Sequence, residues 1–164
     1  MNTDIAEMKL MVLESETKAM TWLDLVVILT NNGIPPEITM RLKEIWETTK
    51  NIGKQIFHIG KIIVTKIIEF VQANPNMAIG LVIGVAIGSL TSAIPWIGPI
   101  LAPLTMVIGG FAGAISGHRL DKIAKGQMSE ERGSDFFADL ITMAKEFWRG
   151  IVEIFQALNE HLRN

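Results

Sequence analysis

The chain has 164 residues, a net charge of −2 and no cysteine, which excludes a disulfide framework and thiol chemistry. Its 49% hydrophobic content and mean hydropathy of +0.34 are high for a soluble domain, yet 20% charged residues is too much for an all-membrane bundle. The averages conceal two regimes: residues 70–118 hold no Asp, Glu, Lys or Arg, and both flanks are polar and patterned.

Residues 1–33 read as an amphipathic helix with a 3–4 apolar rhythm: Ile5, Met8, Val12, Ser15, Ala19, Trp22, Val26 and Leu29. Asp4 with Glu7 has the spacing of a capping box, Asn31-Asn32-Gly33 is a stop signal, and no secretory signal pattern is apparent. Asp24 interrupts the apolar run from Trp22 to Leu29 and, two residues from Trp22, is expected on an exposed or interfacial face.

Residues 34–74 read as one long amphipathic helix, opened by Pro35-Pro36 and closed by Asn74-Pro75. Its stripe is Ile38, Leu42, Ile45, Thr49, Ile52, Ile56, Ile59, Ile63, Lys66 and Phe70, and its outer face carries Lys43, Lys50, Lys54 and Lys61. A rod from Pro36 to Ala73 would be roughly 57 Å long. That is more apolar stripe than two shorter helices of one monomer require, which argues for a homo-oligomer; a three-helix bundle within one monomer is the alternative.

Residues 75–118 form a near-palindrome of small residues. Gly80, Gly84, Gly88 and Ser92 recur every fourth position, then Thr105, Gly109, Gly113 and Gly117 do so beyond a break at Pro95-Trp96-Ile97-Gly98-Pro99. Two apolar helices, 77–94 and 100–117, folded at that turn would lay one small-residue stripe on the other, with Pro103 in the first turn of the second. A bilayer core is ~30 Å thick and takes ~20 apolar residues to cross, so each arm is a slightly short crossing. The reading is a membrane-inserted helical hairpin of glycine-zipper type, in an all-α membrane protein. The same residues also allow a central hairpin buried in a helical bundle, or one hidden there and inserted later.

Residues 119–133 are a basic and polar linker, and 134–164 a C-terminal amphipathic helix with Ser134 as N-cap. Its stripe is Phe137, Leu140, Ala144, Phe147, Ile151, Ile154, Leu158 and His161. Residues 1–30, 37–69, 119–125 and 130–164 carry −3, +2, +2 and −3, so Lys54, Lys61 and Lys66 precede the hairpin and Arg119, Lys122 and Lys125 follow it. By the positive-inside tendency both termini are expected on the cytoplasmic side of a bacterial inner membrane, the lysines and arginines at lipid headgroups or an acidic partner helix.

No chemistry-bearing constellation emerges. Gly53-Lys54 lacks the upstream glycine of a phosphate loop, and Ser116 stands one residue late for a nucleophile elbow. His58, His118 and His161 have no acidic or thiol companions at ligand spacing, so no catalytic, metal or cofactor residue is assigned. An acidic chain whose basic face lacks interleaved aromatics is not expected to bind nucleic acid.

The stripes Gly80/84/88 and Gly109/113/117 and the Pro95–Pro99 turn resemble, at the level of architecture, the hydrophobic hairpin of colicin-type pore-forming domains and the glycine-zipper segments of small bacterial membrane proteins. The likeness covers residues 77–117, and the chain has fewer helices than a colicin pore domain. It implies a membrane-inserting oligomer forming a pore or conduit, as in a toxin, defence effector, holin-like factor or phage ejection component. Any lumen would be lined by Ser89, Thr91, Ser92, Thr105 and Ser116, since charged candidates are absent. The competing reading is a non-enzymatic membrane anchor or scaffold, or an accessory subunit of a larger membrane complex, recruiting partners through coiled-coil arms.

Overall fold

The computed structural model describes residues 1–75, 77–108 and 130–163, with the backbone alone for 130–137. Among these the protein is mostly helical. Its elements are α1 (Thr3–Lys18), α2 (Trp22–Asn31), α3 (Pro36–Trp46), β1 (Lys50–Ile52), β2 (Gln55–Phe57), α4 (Ile59–Ala73), α5 (Ile79–Ala93), a 3₁₀ turn (Pro95–Ile97), α6 (98–108), α7 (Glu130–Ala157) and α8 (Asn159–Leu162).

The core is organised around α4. Ten of its residues are buried, among them Ile59, Ile62, Ile63, Val64, Ile67, Ile68, Phe70 and Val71, so the helix is apolar over most of its circumference, with Lys61, Lys66, Glu69 and Gln72 along the remaining side. So broad an apolar arc needs several neighbours to cover it. Here α1, α3, α5 and α7 pack against it. Each fully buried Ile, Leu or Phe contributes ~1.5–3 kcal/mol relative to exposure, which makes this single helix the largest block of stabilisation in the bundle.

The 57 Å rod expected over 36–73 does not form. The chain leaves α3 at Trp46, makes the antiparallel hairpin β1–β2 with Ile52 opposite Gln55, and returns as α4 against α3. The two-residue loop is Gly53-Lys54, with Gly53 at φ +63°, the position that a type II′ turn reserves for glycine. A continuous rod would leave much of the broad apolar arc of α4 in water; folding back covers it within the chain. The excess apolar stripe that argued for an oligomer is thereby consumed inside one molecule.

The return depends on Gly60. A Cβ there would stand 1.6 Å from the Ile45 carbonyl oxygen, and the Gly60 N–H donates to the Thr48 carbonyl at 3.0 Å. No side chain fits between the end of α3 and the start of α4.

The first segment also divides in two. α1 starts at Asn2, whose side chain accepts from Ile5 N at 2.9 Å, in place of the expected Asp4–Glu7 box. After the turn at 19–21 the capping box belongs to α2: Asp24 N donates to Thr21 Oγ1 and Thr21 N to Asp24 Oδ2, both at 3.1 Å. Asp24 is exposed, as expected, and these bonds to Thr21 hold its carboxyl below the usual value of 3.8. α2 stops where the sequence says: Gly33, at φ +71°, donates to Thr30 O and Ile34 to Leu29 O, the paired bonds of a Schellman motif.

α1 buries Ala6, Leu10 and Thr17, not the expected Ile5–Met8–Val12 stripe, which is exposed. Of the 34–74 stripe, Ile38, Leu42 and Ile45 are buried but Thr49 and Ile56 are exposed on the hairpin. α7 includes Ser134 within the helix, so that residue is not an N-cap. It buries Leu140, Ala144, Trp148, Ile151, Phe155 and Leu158, leaving Phe147 partly exposed. A seven-residue repeat on a straight helix of 3.6 residues per turn drifts by ~20° per heptad, which carries the buried line from 147 to 148 and, into α8, from His161 to Leu162.

Two contacts fasten α1 to the bundle. The Glu14 carboxylate, mostly shielded, accepts from the His58 backbone N–H at 2.9 Å and pairs with its ring Nδ1. Lys61 Nζ donates to the Lys18 carbonyl at 3.1 Å and lies 5.3 Å from the Trp46 ring centroid, while Trp46 meets Trp22 edge-on at 5.8 Å.

Gly60→Ala is expected to lower stability by about 3 kcal/mol, because backbone and not a flexible side chain occupies the space; the urea midpoint measures it. Asp24→Asn is expected to destabilise at neutral pH and to have no effect in strong acid. A carboxyl held below its unfolded value stabilises above that value and loses the contribution as pH falls through the folded one. Paired thermal melts of the two proteins at pH 7 and pH 2 give the comparison.

Candidate membrane-active hairpin

α5 begins without a side-chain cap and carries no charge over its 15 residues. Val82, Ile83, Ala86 and Leu90 are buried, and the helix packs on α4 and α7. At 1.5 Å per residue it spans about 22 Å, and among the described residues no helix is long and apolar enough to cross a membrane. The expected spans 77–94 and 100–117 therefore do not appear as such: the first is shortened at both ends, and residues 109–117 lie outside the described residues.

The expected turn is present. Ile94 closes α5 by donating to Leu90 O at 2.8 Å, Pro95–Ile97 form the 3₁₀ turn, and α6 continues from residue 98. Pro99 thus occupies the first turn of the second arm, and Pro103 falls in the second. The tip is docked on α7 rather than free. Trp96 packs on Phe155 with centroids 5.7 Å apart, Gln156 Nε2 donates to the Ala93 carbonyl at 3.0 Å, and Ile94 and Ile97 are buried. The indole N–H groups of Trp96 and Trp148 are buried and find no partner among the described residues.

Of the four expected pairs of small residues, only Ser92 with Thr105 lies wholly among the described residues. Gly80 is buried, whereas Gly88, Ser92 and Thr105 are exposed. A Cβ on Gly84 would lie 3.5 Å from Ile108 Cγ2, an ordinary contact, and one on Gly88 would meet nothing within 4 Å. Between the arms runs an apolar groove of about 480 Å³, lined by Gly84, Gly88, Thr91, Ala102, Thr105 and Met106. The bulky face of α5 is taken by α4 and α7, so the glycine face turns toward this groove. Gly109, Gly113 and Gly117 lie outside the described residues.

Three hydroxyls of the two arms close on their own helices. Ser89 donates to Ala86 O at 3.0 Å, Thr91 to Ile87 O at 2.9 Å and Thr105 to Leu101 O at 3.0 Å. Hydroxyls bonded in this way can enter an apolar medium without stranding a donor.

The basic residues expected at lipid headgroups are not gathered. Lys54 is exposed on the β1–β2 turn, Lys61 is engaged by α1 and Trp46, and Lys66 pairs with Glu69 at 3.3 Å. Arg119, Lys122 and Lys125 lie outside the described residues. A second cavity, about 520 Å³ between α5 and α7, has Ser89, Ser92, Thr142, Lys145, Arg149 and Glu153 on its walls. Among the described residues no group of His, Asp or Glu side chains is placed to hold a metal ion.

Gly88→Ala tests the orientation of the glycine face. With open space at that Cβ, the gain in helix propensity should raise stability by about 1 kcal/mol, read from the denaturation midpoint; a loss would mean the face is packed.

Comparison of the chain with protein families, with curated proteins and with solved structures finds no match.

Proposed function

We propose that the protein is a membrane-inserting, non-enzymatic helical protein that assembles as a homo-oligomer to form a pore or conduit, with its uncharged hairpin held against α4 and α7 until it meets a bilayer. The observation that carries this reading is the charge-free run 70–118, whose described part, as far as residue 108, makes two arms about a Pro-rich tip with the first arm packed on α4 and α7. Three features support it. The hydroxyls of Ser89, Thr91 and Thr105 are satisfied within their own helices. The tip is held by one aromatic contact and one side-chain hydrogen bond to α7. The groove-facing glycine at 88 has no packing duty in the bundle, so its spacing with 84 is free for close approach of helices in lipid.

Insertion on this reading requires α5 to lengthen. Including Met77, Ala78 and Ile94 restores an 18-residue apolar segment, which a thin or locally compressed bilayer accommodates. The lipid bilayer is then the partner, with both ends of the hairpin on the side of the basic residues.

Vesicles of phosphatidylethanolamine and phosphatidylglycerol loaded with a self-quenched dye provide the test. The full chain is expected to release dye, and Gly88→Leu to reduce release at least tenfold while leaving the melting temperature of the bundle in place. Tight binding without release, even at high protein density, would overturn the conduit and leave the anchor reading.

A further inference from the structure

α1 carries two apolar faces. Ala6, Leu10, Leu13 and Thr17 point into the bundle, and Ile5, Met8 and Val12 point away from it, 46%, 67% and 56% exposed. The outward residues keep the 3–4 spacing of a coiled-coil seam. Ile5 and Val12 take its first core position and Met8 the second, with Met1 just before the helix and Ser15 at the next second position; Leu10 and Thr17 lie on the opposite side of the helix. Both flanks of the seam, Asn2, Lys9 and Glu16 on one side and Asp4, Met11 and Lys18 on the other, are exposed, so none of the described residues obstructs it.

We propose that two copies of this chain associate through α1 as a parallel two-stranded coiled coil. This deepens the assembly part of the function proposed above by naming its surface. Two observations select a second copy as the occupant. β-branched Ile5 and Val12 at the first core position favour two strands. In that arrangement Asp4 of each copy lies beside Lys9 of the other, five residues on, giving two opposite-charge contacts across the two-fold axis and no like-charge contact at that level. The five exposed apolar side chains, Met1, Ile5, Met8, Met11 and Val12, offer at most about 500 Å² per copy, so a pair buries no more than about 1,000 Å², the size of a weak and reversible interface.

The absence of native cysteine allows a direct test on the full chain. Met8→Cys places like residues face to face across the seam and should form a disulfide-linked dimer under mild oxidation; Met40→Cys, equally exposed on α3, should not. In sedimentation the chain should dimerise reversibly. Met8→Glu should raise Kd at least tenfold, Asp4→Lys and Lys9→Asp should each weaken association, and the double exchange should restore it. A chain that stays monomeric throughout, or Met40→Cys linking as readily as Met8→Cys, overturns the proposal. So does weakening by Lys18→Asp, which would indicate an antiparallel pair. Loss of vesicle binding by Met8→Glu with no change in mass would assign the seam to lipid instead and equally overturns it. Dimerisation without dye release by the native chain would sink the conduit and leave this interface standing; dye release by a monomer would do the reverse.

Discussion

Everything else in the molecule follows from the need to cover α4. A helix whose apolar arc leaves only the strip of Lys61, Lys66, Glu69 and Gln72 for solvent needs cover on its other sides, and the surrounding elements are arranged to give it. α3 approaches closely enough that the Ile45 carbonyl excludes even a methyl group at Gly60. α1 is fastened across the start of α4 by the Glu14 carboxylate on His58 and by the Lys61 ammonium on the Lys18 carbonyl. α5 and α7 close the remaining sides, with Phe70 of α4 meeting Phe147 and Trp148 of α7 at 5.4 and 6.0 Å. These polar contacts set register; the burial around α4 supplies the energy.

The uncharged hairpin benefits from the same cover. Its two arms have no charged face with which to meet water, so they share the amphipathic neighbours that α4 requires. The division of labour on α5 is by side-chain size. Val82, Ile83, Ala86 and Leu90 are spent on the bundle, and the glycine face is left to the groove beside α6. A helix that packs with one face in water-facing assemblies and reserves another for close helix contact is suited to two environments, which is the physical core of the proposed function.

Much of this was legible in the residues, and the failures share a cause. Punctuation was read correctly at Gly33 ending α2, Pro36 opening α3 and the Pro95–Pro99 turn, but not at the Asp4–Glu7 box, Pro103 or Ser134. Periodicity was less decisive. In α1 two stripes have comparable spacing, and only tertiary packing chose Leu10 over Met8. In the 34–74 segment the heptad line ran through Thr49, Ile52 and Ile56 without noticing that Gly53-Lys54 is flanked by short alternating segments. The signal that would have broken the rod was the change from a narrow stripe before Trp46 to an apolar arc covering most of the helix after Ile59. The glycine palindrome gave the hairpin but not its packing, because spacing says which residues share a face and not which face a neighbour takes.

The order of the elements along the chain has a consequence for synthesis. α4 and α5 are complete by Ala93, but α7, which covers both, ends at Ala157. At ribosomal rates of roughly 5–20 residues per second, the most apolar helices therefore wait about 3–13 s for their last cover. During that interval the nascent chain presents the apolar arc of α4 and the uncharged α5 without their last cover, and a chaperone, or on the proposed function a membrane, would compete with α7 for the same surface. On that proposal the choice between bundle and bilayer would be under kinetic control from the first minute of the protein's existence.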